Sequence, residues 1–257
     1  MSTQSFELIQ AELTNLAPLD THLNLDLIAQ EIQQNNFSLE LNCFFVFHQK
    51  PHIFCKTDAY TQLLFDFWLH RLKNSCWIHR PQNIHYRREV IPEIVKAINA
   101  ESMQFFYAIL DIKNYFYSVI HQKLIQGIQA QGGDELLVMG LSRLLEIIDQ
   151  TLQGEVDFKQ TKNIHPGRGL ILGHELFFLL ASLYLTPLDM FILNHTQTQR
   201  YYRYIDDILL GTTSPAYTLL PEIEKELTLL GLKFNQSKIK FANLGSSFTF
   251  LRTEFTN

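Results

Sequence analysis

The stretch RYYRYIDDILLG, residues 200–211, sets two adjacent aspartates inside an aromatic and aliphatic run. Such a run reads as a strand hairpin, yet ionised carboxylates are costly to bury without compensating charge. The pair therefore constrains the fold twice. The chain turns at Asp206-Asp207, and a cation has to reach them. The plain alternative is that both residues occupy a turn because Asp is common in turns; on the dipeptide alone both readings stand.

A second carboxylate closes a similar run. MQFFYAILDI, residues 103–112, reads as a buried strand ending at Asp111. Around these two strands the periodicity predicts one or two helices over 6–35, a strand-like segment around Pro51 and a helix over 58–75 with Asp58 as N-cap. It further predicts a helix over 88–100, helices at 119–130 and 134–153, a loop at 154–168, and one long helix from about 174. Residues 215–230 read as helical, and LKFNQSKIKF and SSFTFLRTEF as closing strands. Strand, helices, hairpin, helix and strands in that order fit an antiparallel sheet backed by helices, an α+β arrangement. Three carboxylates meeting at one edge of that sheet suit Mg²⁺, with Mn²⁺ as the alternative. Two such ions about 4 Å apart would clamp an in-line phosphoryl displacement.

Composition narrows the classes. The 257 residues are 46% hydrophobic with 20 Phe and 10 Tyr, which implies a well-packed core and excludes disorder. The net charge of −5 argues against a nucleic-acid partner, but the distribution argues the other way. Residues 1–49 hold six acids and no Lys or Arg, whereas residues 50–96 hold eight Lys or Arg against four acids, interleaved with His52, His70, His79 and His85. A basic middle is masked by an acidic leader; a merely solvated surface is the even alternative. Cys43, Cys55 and Cys76 show no metal-type spacing, and with no export signal visible the expectation is reduced thiols in a cytoplasmic protein. His174, Glu175, Pro187 and Asp189 interrupt the apolar segment 169–193, so a buried helix is expected there rather than a membrane span. QGGDELL, 131–137, contains Gly-Gly-Asp-Glu, the core of a cyclic-dinucleotide synthase signature, but helical flanks and Asp134 at an N-cap position favour a helix–helix loop. The histidines lack zinc-type spacing, and no Walker loop or Gly-x-Ser-x-Gly occurs.

Tyr204-Ile205-Asp206-Asp207 resembles the Tyr-x-Asp-Asp signature of reverse transcriptases, and four further blocks follow that family's order. LDIKNYFYSV, 110–119, is similar to the first catalytic block. GRGLILGHELFFLLASLYLTPLD, 167–189, is similar to the glycine loop and long helix. LGLKFNQSKIKF, 230–241, resembles the block after the hairpin, and FTFLRTEF, 248–255, resembles the Phe-Leu-Gly primer grip. The chain resembles prokaryotic reverse transcriptases of the group II intron, retron and abortive-infection kinds. That resemblance implies a right-hand polymerase palm at 103–257, a mainly helical fingers-like region at 46–102 and a helical N-terminal extension at 1–45.

It also implies roles. Asp111, Asp206 and Asp207 would be the catalytic metal carboxylates, with the Ile112 carbonyl as a further ligand. Phe116 would lie under the incoming sugar and favour deoxynucleotides; Gly173 would let backbone approach the nascent pair; Lys238 would sit near the triphosphate. Lys50, His52 and Lys56 would grip phosphates, and Arg87, Arg88 and Tyr204 would meet nucleic acid. Each has a plainer reading as core ring or surface charge. The implied partners are dNTPs, an RNA template or structured RNA and a DNA product, with no membrane.

Departures temper the implied activity. Leu172 stands where the family has glutamine, Phe177-Phe178 replace Ser-Pro, Ser182 replaces asparagine and Arg252 replaces the grip glycine. The sequence stops two residues after Phe255, so a thumb is expected to be missing and a partner protein, RNA or self-assembly to replace it. Unusual templating or priming in phage defence is the expectation by analogy. The rival is a retired, RNA- or protein-binding scaffold.

Overall fold

A computed structural model describes residues 3–18, 22–48, 50–74, 87–100, 105–154 and 165–256. The elements in chain order are α1 (Thr3–Leu16), α2 (Leu25–Gln33), β1 (Leu41–His48), β2 (Lys50–Thr57), α3 (Ala59–Asn74), α4 (Arg87–Ala100), β3 (Phe106–Asp111), α5 (Tyr115–Ser118), α6 (His121–Ala130) and α7 (Glu135–Gly154). They continue with α8 (Glu175–Tyr184), α9 (Thr186–Asn194), β4 (Thr198–Tyr204), β5 (Asp207–Thr212), α10 (Leu220–Leu229), β6 (Lys240–Ala242), β7 (Ser247–Phe250) and β8 (Thr253–Thr256). Contacts gather the chain into two interleaved units: Met1–Ile78 with Val119–Leu183, and His79–Ser118 with Tyr184–Asn257. The segments 79–118 and 184–257 fall in one unit because β3 pairs with β5 and β6.

In the first unit α3 buries residues on nearly every face, among them Leu64, Phe65, Phe67, Trp68 and Leu72, as the central helix of a bundle does. Trp68 packs on α7 at Gly140, where an added Cβ would stand 2.1 Å from the indole Cη2. The helix starts follow the expected caps. Thr61 N–H donates to Asp58 Oδ1 at 2.8 Å and Leu137 N–H to Asp134 Oδ1 at 2.7 Å. The Gly-Gly-Asp-Glu stretch is therefore a helix–helix connection. The segment expected as one long helix from 174 instead breaks at Leu185 into α8 and α9, with Pro187 in the first turn of α9, where its missing N–H costs no bond. Among the described residues no single helix is long and apolar enough to cross a membrane.

The expectation of unpaired thiols fails at two of the three cysteines. β1 and β2 pair antiparallel in a register that sets Cys43 opposite Cys55, Cα atoms 4.1 Å apart, and the two are joined by a disulfide. Their separation of 12 residues hides a pairing that the hairpin register creates. Cys76, Arg80, His79, His85 and most of the expected 154–168 loop lie outside the described residues.

The second unit is built on a sheet of order β4-β5-β3-β6 with every pair antiparallel. Its core joins Tyr107 of β3, Tyr202 of β4 and Leu209 of β5 to Ile94 of α4 and to Phe248, Phe250 and Phe255 of the β7–β8 hairpin. That hairpin turns at Leu251 and Arg252, both at positive φ (49° and 63°), the conformation in which a tight hairpin favours glycine. LKFNQSKIKF is strand only at β6. Gln236–Lys238 form a 3₁₀ turn, in which Ser237 Oγ donates to Asn235 Oδ1 at 2.9 Å. Such local side-chain bonds compete with a ladder.

Candidate active site

All three carboxylates belong to the second unit. Asp111, the last residue of β3, lies opposite Asp207, the first of β5. Directly opposed residues present their side chains on one face. Asp207 also pairs with Tyr204 across the β4–β5 hairpin, which leaves Ile205-Asp206 as a two-residue loop. Ile205 has φ 57°, at the position where such loops prefer glycine and where a β-branched residue is strained. The strain is on the order of 1–3 kcal/mol, which only a restraining environment maintains.

The backbone draws the ligand candidates together. Ile112 N–H donates to the Asp206 carbonyl at 3.1 Å, and Asn235 N–H to the Asp111 carbonyl at 2.8 Å. The second bond brings the 3₁₀ turn against the end of β3, so Lys238 Nζ reaches Asp111 Oδ2 at 2.5 Å. Burial, then the neighbouring charges of Asp207 and Asp111, push the Asp206 carboxyl up to about 7. Burial pulls the Lys238 ammonium down, but its bond to Asp111 and the three negative charges carry it above the usual lysine value.

The donor set fits a hard divalent cation. Asp111 Oδ1 is buried with no hydrogen-bond partner among the described residues, and Asp206 resists ionisation because it is buried and because Asp207 and Asp111 crowd it with negative charge. A cation would relieve both. Among the described residues no group of three or more His, Cys, Asp or Glu is arranged to hold a metal ion. Mg²⁺ commonly binds through one or two carboxylates, with substrate phosphates and water completing its shell.

Of the other candidates, Tyr204 is half-buried beside Asp207. Phe116 is half-buried, with its ring centroid 5.9 Å from that of buried Tyr115. Arg87 and Arg88 open α4, but their side chains lie outside the described residues. The remainder belong to the first unit. Gly173 is exposed at φ 122°, and an added Cβ would meet the Cys55 carbonyl at 3.3 Å, so glycine is required by backbone and space together. Leu172 is bridged to β2: its N–H donates to the Ile53 carbonyl at 2.8 Å and its carbonyl accepts from Cys55 N–H at 3.3 Å. Lys56 is exposed, 6.0 Å from the Phe44 ring centroid. The side chains of Lys50 and His52, on β2, lie outside the described residues.

Sequence reasoning missed the group behind the hairpin. Arg203 and Asp189 form a fully buried ion pair, and Tyr201 Oη donates to Asp189 Oδ1 at 2.5 Å. Burial draws the Arg203 pKa down, but Asp189 beside it raises it above the usual value; burial pushes the Tyr201 and Tyr115 phenols well up, so both stay neutral. The signal present in the sequence was an Asp and an Arg, each flanked directly by apolar and aromatic residues.

This arrangement is the palm of a right-hand polymerase, an α+β fold with facing aspartates at the ends of two central strands. The family model described as reverse transcriptase (RNA-dependent DNA polymerase) matches residues 57–255, and the chain belongs to that family. Among solved structures, it is similar to telomerase from Candida albicans in complex with the TWJ fragment of telomeric RNA: TM-score 0.57, 14% identity, 98% of this chain and 48% of that one. It is also similar to apo telomerase from Candida tropicalis, with TM-score 0.56, 13% identity, 84% of this chain and 46% of that one. The chain thus spans just under half the length of these structures, and at such identity the likeness concerns the fold. No curated protein matches the sequence.

Proposed function

We propose that the protein is an RNA-directed DNA polymerase that joins deoxynucleotides to a primer hydroxyl. The observation that carries this reading is the convergence of Asp111, Asp206 and Asp207 at one end of the β3–β5 pair, with Lys238 on Asp111. Asp111 and Asp206 would hold Mg²⁺, with Asp207 and the Ile112 carbonyl beside them. When bound, the ion supplies positive charge that favours the alkoxide of the primer and offsets the charge of the phosphates. Lys238, which contacts Asp111, would donate a proton to departing pyrophosphate. Phe116 would lie under the sugar and disfavour a 2′-hydroxyl. RNA template, DNA product and dNTPs are the implied partners.

In Asp206→Asn we expect incorporation of labelled dNTP on an RNA template to fall at least about a thousandfold, an effect of the size seen when a charge-stabilising group is removed from an active site, with an unchanged circular dichroism spectrum. Full activity in that variant would remove Asp206 from the mechanism.

A second reading is favoured by Leu172. An apolar side chain, 8% exposed and on a backbone tied to β2, cannot offer the polar contact of the family glutamine. Either templating is unusual, as in relatives that serve phage defence, or the chain is a scaffold for RNA or protein. Extension assays with each dNTP, with Mg²⁺ and with Mn²⁺, separate these, since a scaffold yields no product under any primer condition.

A further inference from the structure

Among the bonds of the Arg203 guanidinium, three run to Asp189 and to the Ile205 backbone. Nε donates to Asp189 Oδ1 at 2.7 Å and Nη2 to Asp189 Oδ2 at 2.5 Å, while Nη1 donates to the carbonyl of Ile205 at 3.0 Å. Both charged side chains are 0% exposed. A buried ion pair is a poor device for stability alone, because desolvation cancels most of the attraction and apolar replacements are often neutral. Its particular capacity is geometric: the rigid planar fork fixes one group relative to another. Here the group fixed is the carbonyl of the strained loop residue. Asp189 lies on α9 and Arg203 on β4, so the pair ties that carbonyl to a helix behind the sheet.

We propose that Arg203, anchored by Asp189, is a positioning residue that holds the Ile205-Asp206 loop in its strained conformation and so presents Asp206 to the metal. The proposal rests on the polymerase reading only for the use made of Asp206. The loop has a built-in reporter, because the Asp206 carbonyl accepts from the N–H of Ile112, the residue that follows β3. If the Arg203 fork holds the loop, removing it frees that one amide while the sheet remains intact.

The test is amide hydrogen exchange on the full chain carrying Asp189→Leu, Tyr201→Phe and Arg203→Met together. This combination removes the ion pair and the phenol that donates to it, so no charge is left buried without its partner. Loss of a bond to a charged donor should speed exchange at Ile112 about tenfold to a hundredfold, with amides in the middle of β3 and β5 unchanged. Mn²⁺ affinity, read by electron paramagnetic resonance, should fall about tenfold, a modest loss of the size produced by altering a group behind the ligands. Unchanged exchange at Ile112, or acceleration equal to that of the mid-strand amides, overturns the proposal, because either result means that Arg203 serves only the fold. Should the triple variant not fold, Arg203→Lys gives the same readout, since an ammonium keeps the charge but not the planar fork. Tyr201→Phe alone, which leaves the Arg203–Ile205 bond intact, should not move Ile112. Failure of wild-type polymerase activity would leave the exchange result standing, so the two readings fail separately.

Discussion

Each unit contains an arginine that bridges elements, and the two differ in burial. In the unit that carries the carboxylates, Arg203 and Asp189 are both 0% exposed. In the other, Arg71 of α3 is 18% exposed and spans Glu12 of α1, 28% exposed, and Asp134 at the start of α7, 56% exposed. Water screens the second group and not the first. Burial decides what removing each arginine costs, and the carboxylate unit has accepted the expensive arrangement where a strained loop needs a fixed donor. The other unit is held instead by aromatic packing around Trp68 and by the Cys43–Cys55 disulfide.

The sharpest break in that contrast is Arg203→Met alone. It leaves the Asp189 carboxylate buried with Tyr201 as its remaining side-chain donor among the described residues, and the expected loss is about 3–5 kcal/mol in urea unfolding. A loss under about 1 kcal/mol would mean that water reaches Asp189 and that the two arginines are alike.

In the first unit the largest single contribution to test is covalent. The disulfide joins residues 12 apart in sequence, and a loop near that length stabilises by roughly 2–3 kcal/mol through the unfolded chain. Cys43→Ser with Cys55→Ser should lower stability by that amount, with exchange at Ile112 unchanged. Because β2 is bonded to Leu172, amides at 172–173 should exchange faster than in the wild type.

Protons provide the next test. The Asp206 pKa is raised from 3.8 to about 7 by burial and by Asp207 and Asp111. The native state therefore binds the proton more tightly than the unfolded chain. This stabilisation is full below about 4 and is lost as pH rises through about 7. The metal-free protein should accordingly melt higher at pH 5 than at pH 8 through this group, and Asp206→Asn should flatten the slope. Metal affinity runs the other way, since the ion displaces the proton: it should rise up to about tenfold per pH unit until pH passes about 7.

The parts legible in sequence are those whose signal is local. RYYRYIDDILLG and MQFFYAILDI announce strands through their aromatic and aliphatic residues, and each ends or turns at an aspartate. Caps at Asp58 and Asp134 are three-residue signals and hold. What was not legible depends on register or on distant pairing. The disulfide exists because the β1–β2 hairpin sets Cys43 opposite Cys55, and the two units interleave because β3 pairs with β5 and β6. Asp189 and Arg203 were visible only as charges with apolar and aromatic immediate neighbours, and nothing local says that they meet. The break at Leu185 was missed because Pro187 fits a helix start as readily as it disrupts an interior.

The smallest effect closes the comparison. Arg71→Met removes bonds of 3.0 Å to Glu12 and 2.8 Å to Asp134. Both acids retain water, so neither is left with an unsatisfied charge. Partly exposed pairs contribute about 0.2–1 kcal/mol and are screened by salt. The methionine side chain can keep part of the apolar contact that Arg71 makes over the Phe67 ring, 5.7 Å from its centroid. We expect a loss below about 1 kcal/mol that shrinks further in 1 M NaCl. Asp134 should continue to cap α7, because the bond from Leu137 N–H uses its other oxygen. A loss approaching that of Arg203→Met would show that Arg71 is effectively buried and would erase the distinction between the two units.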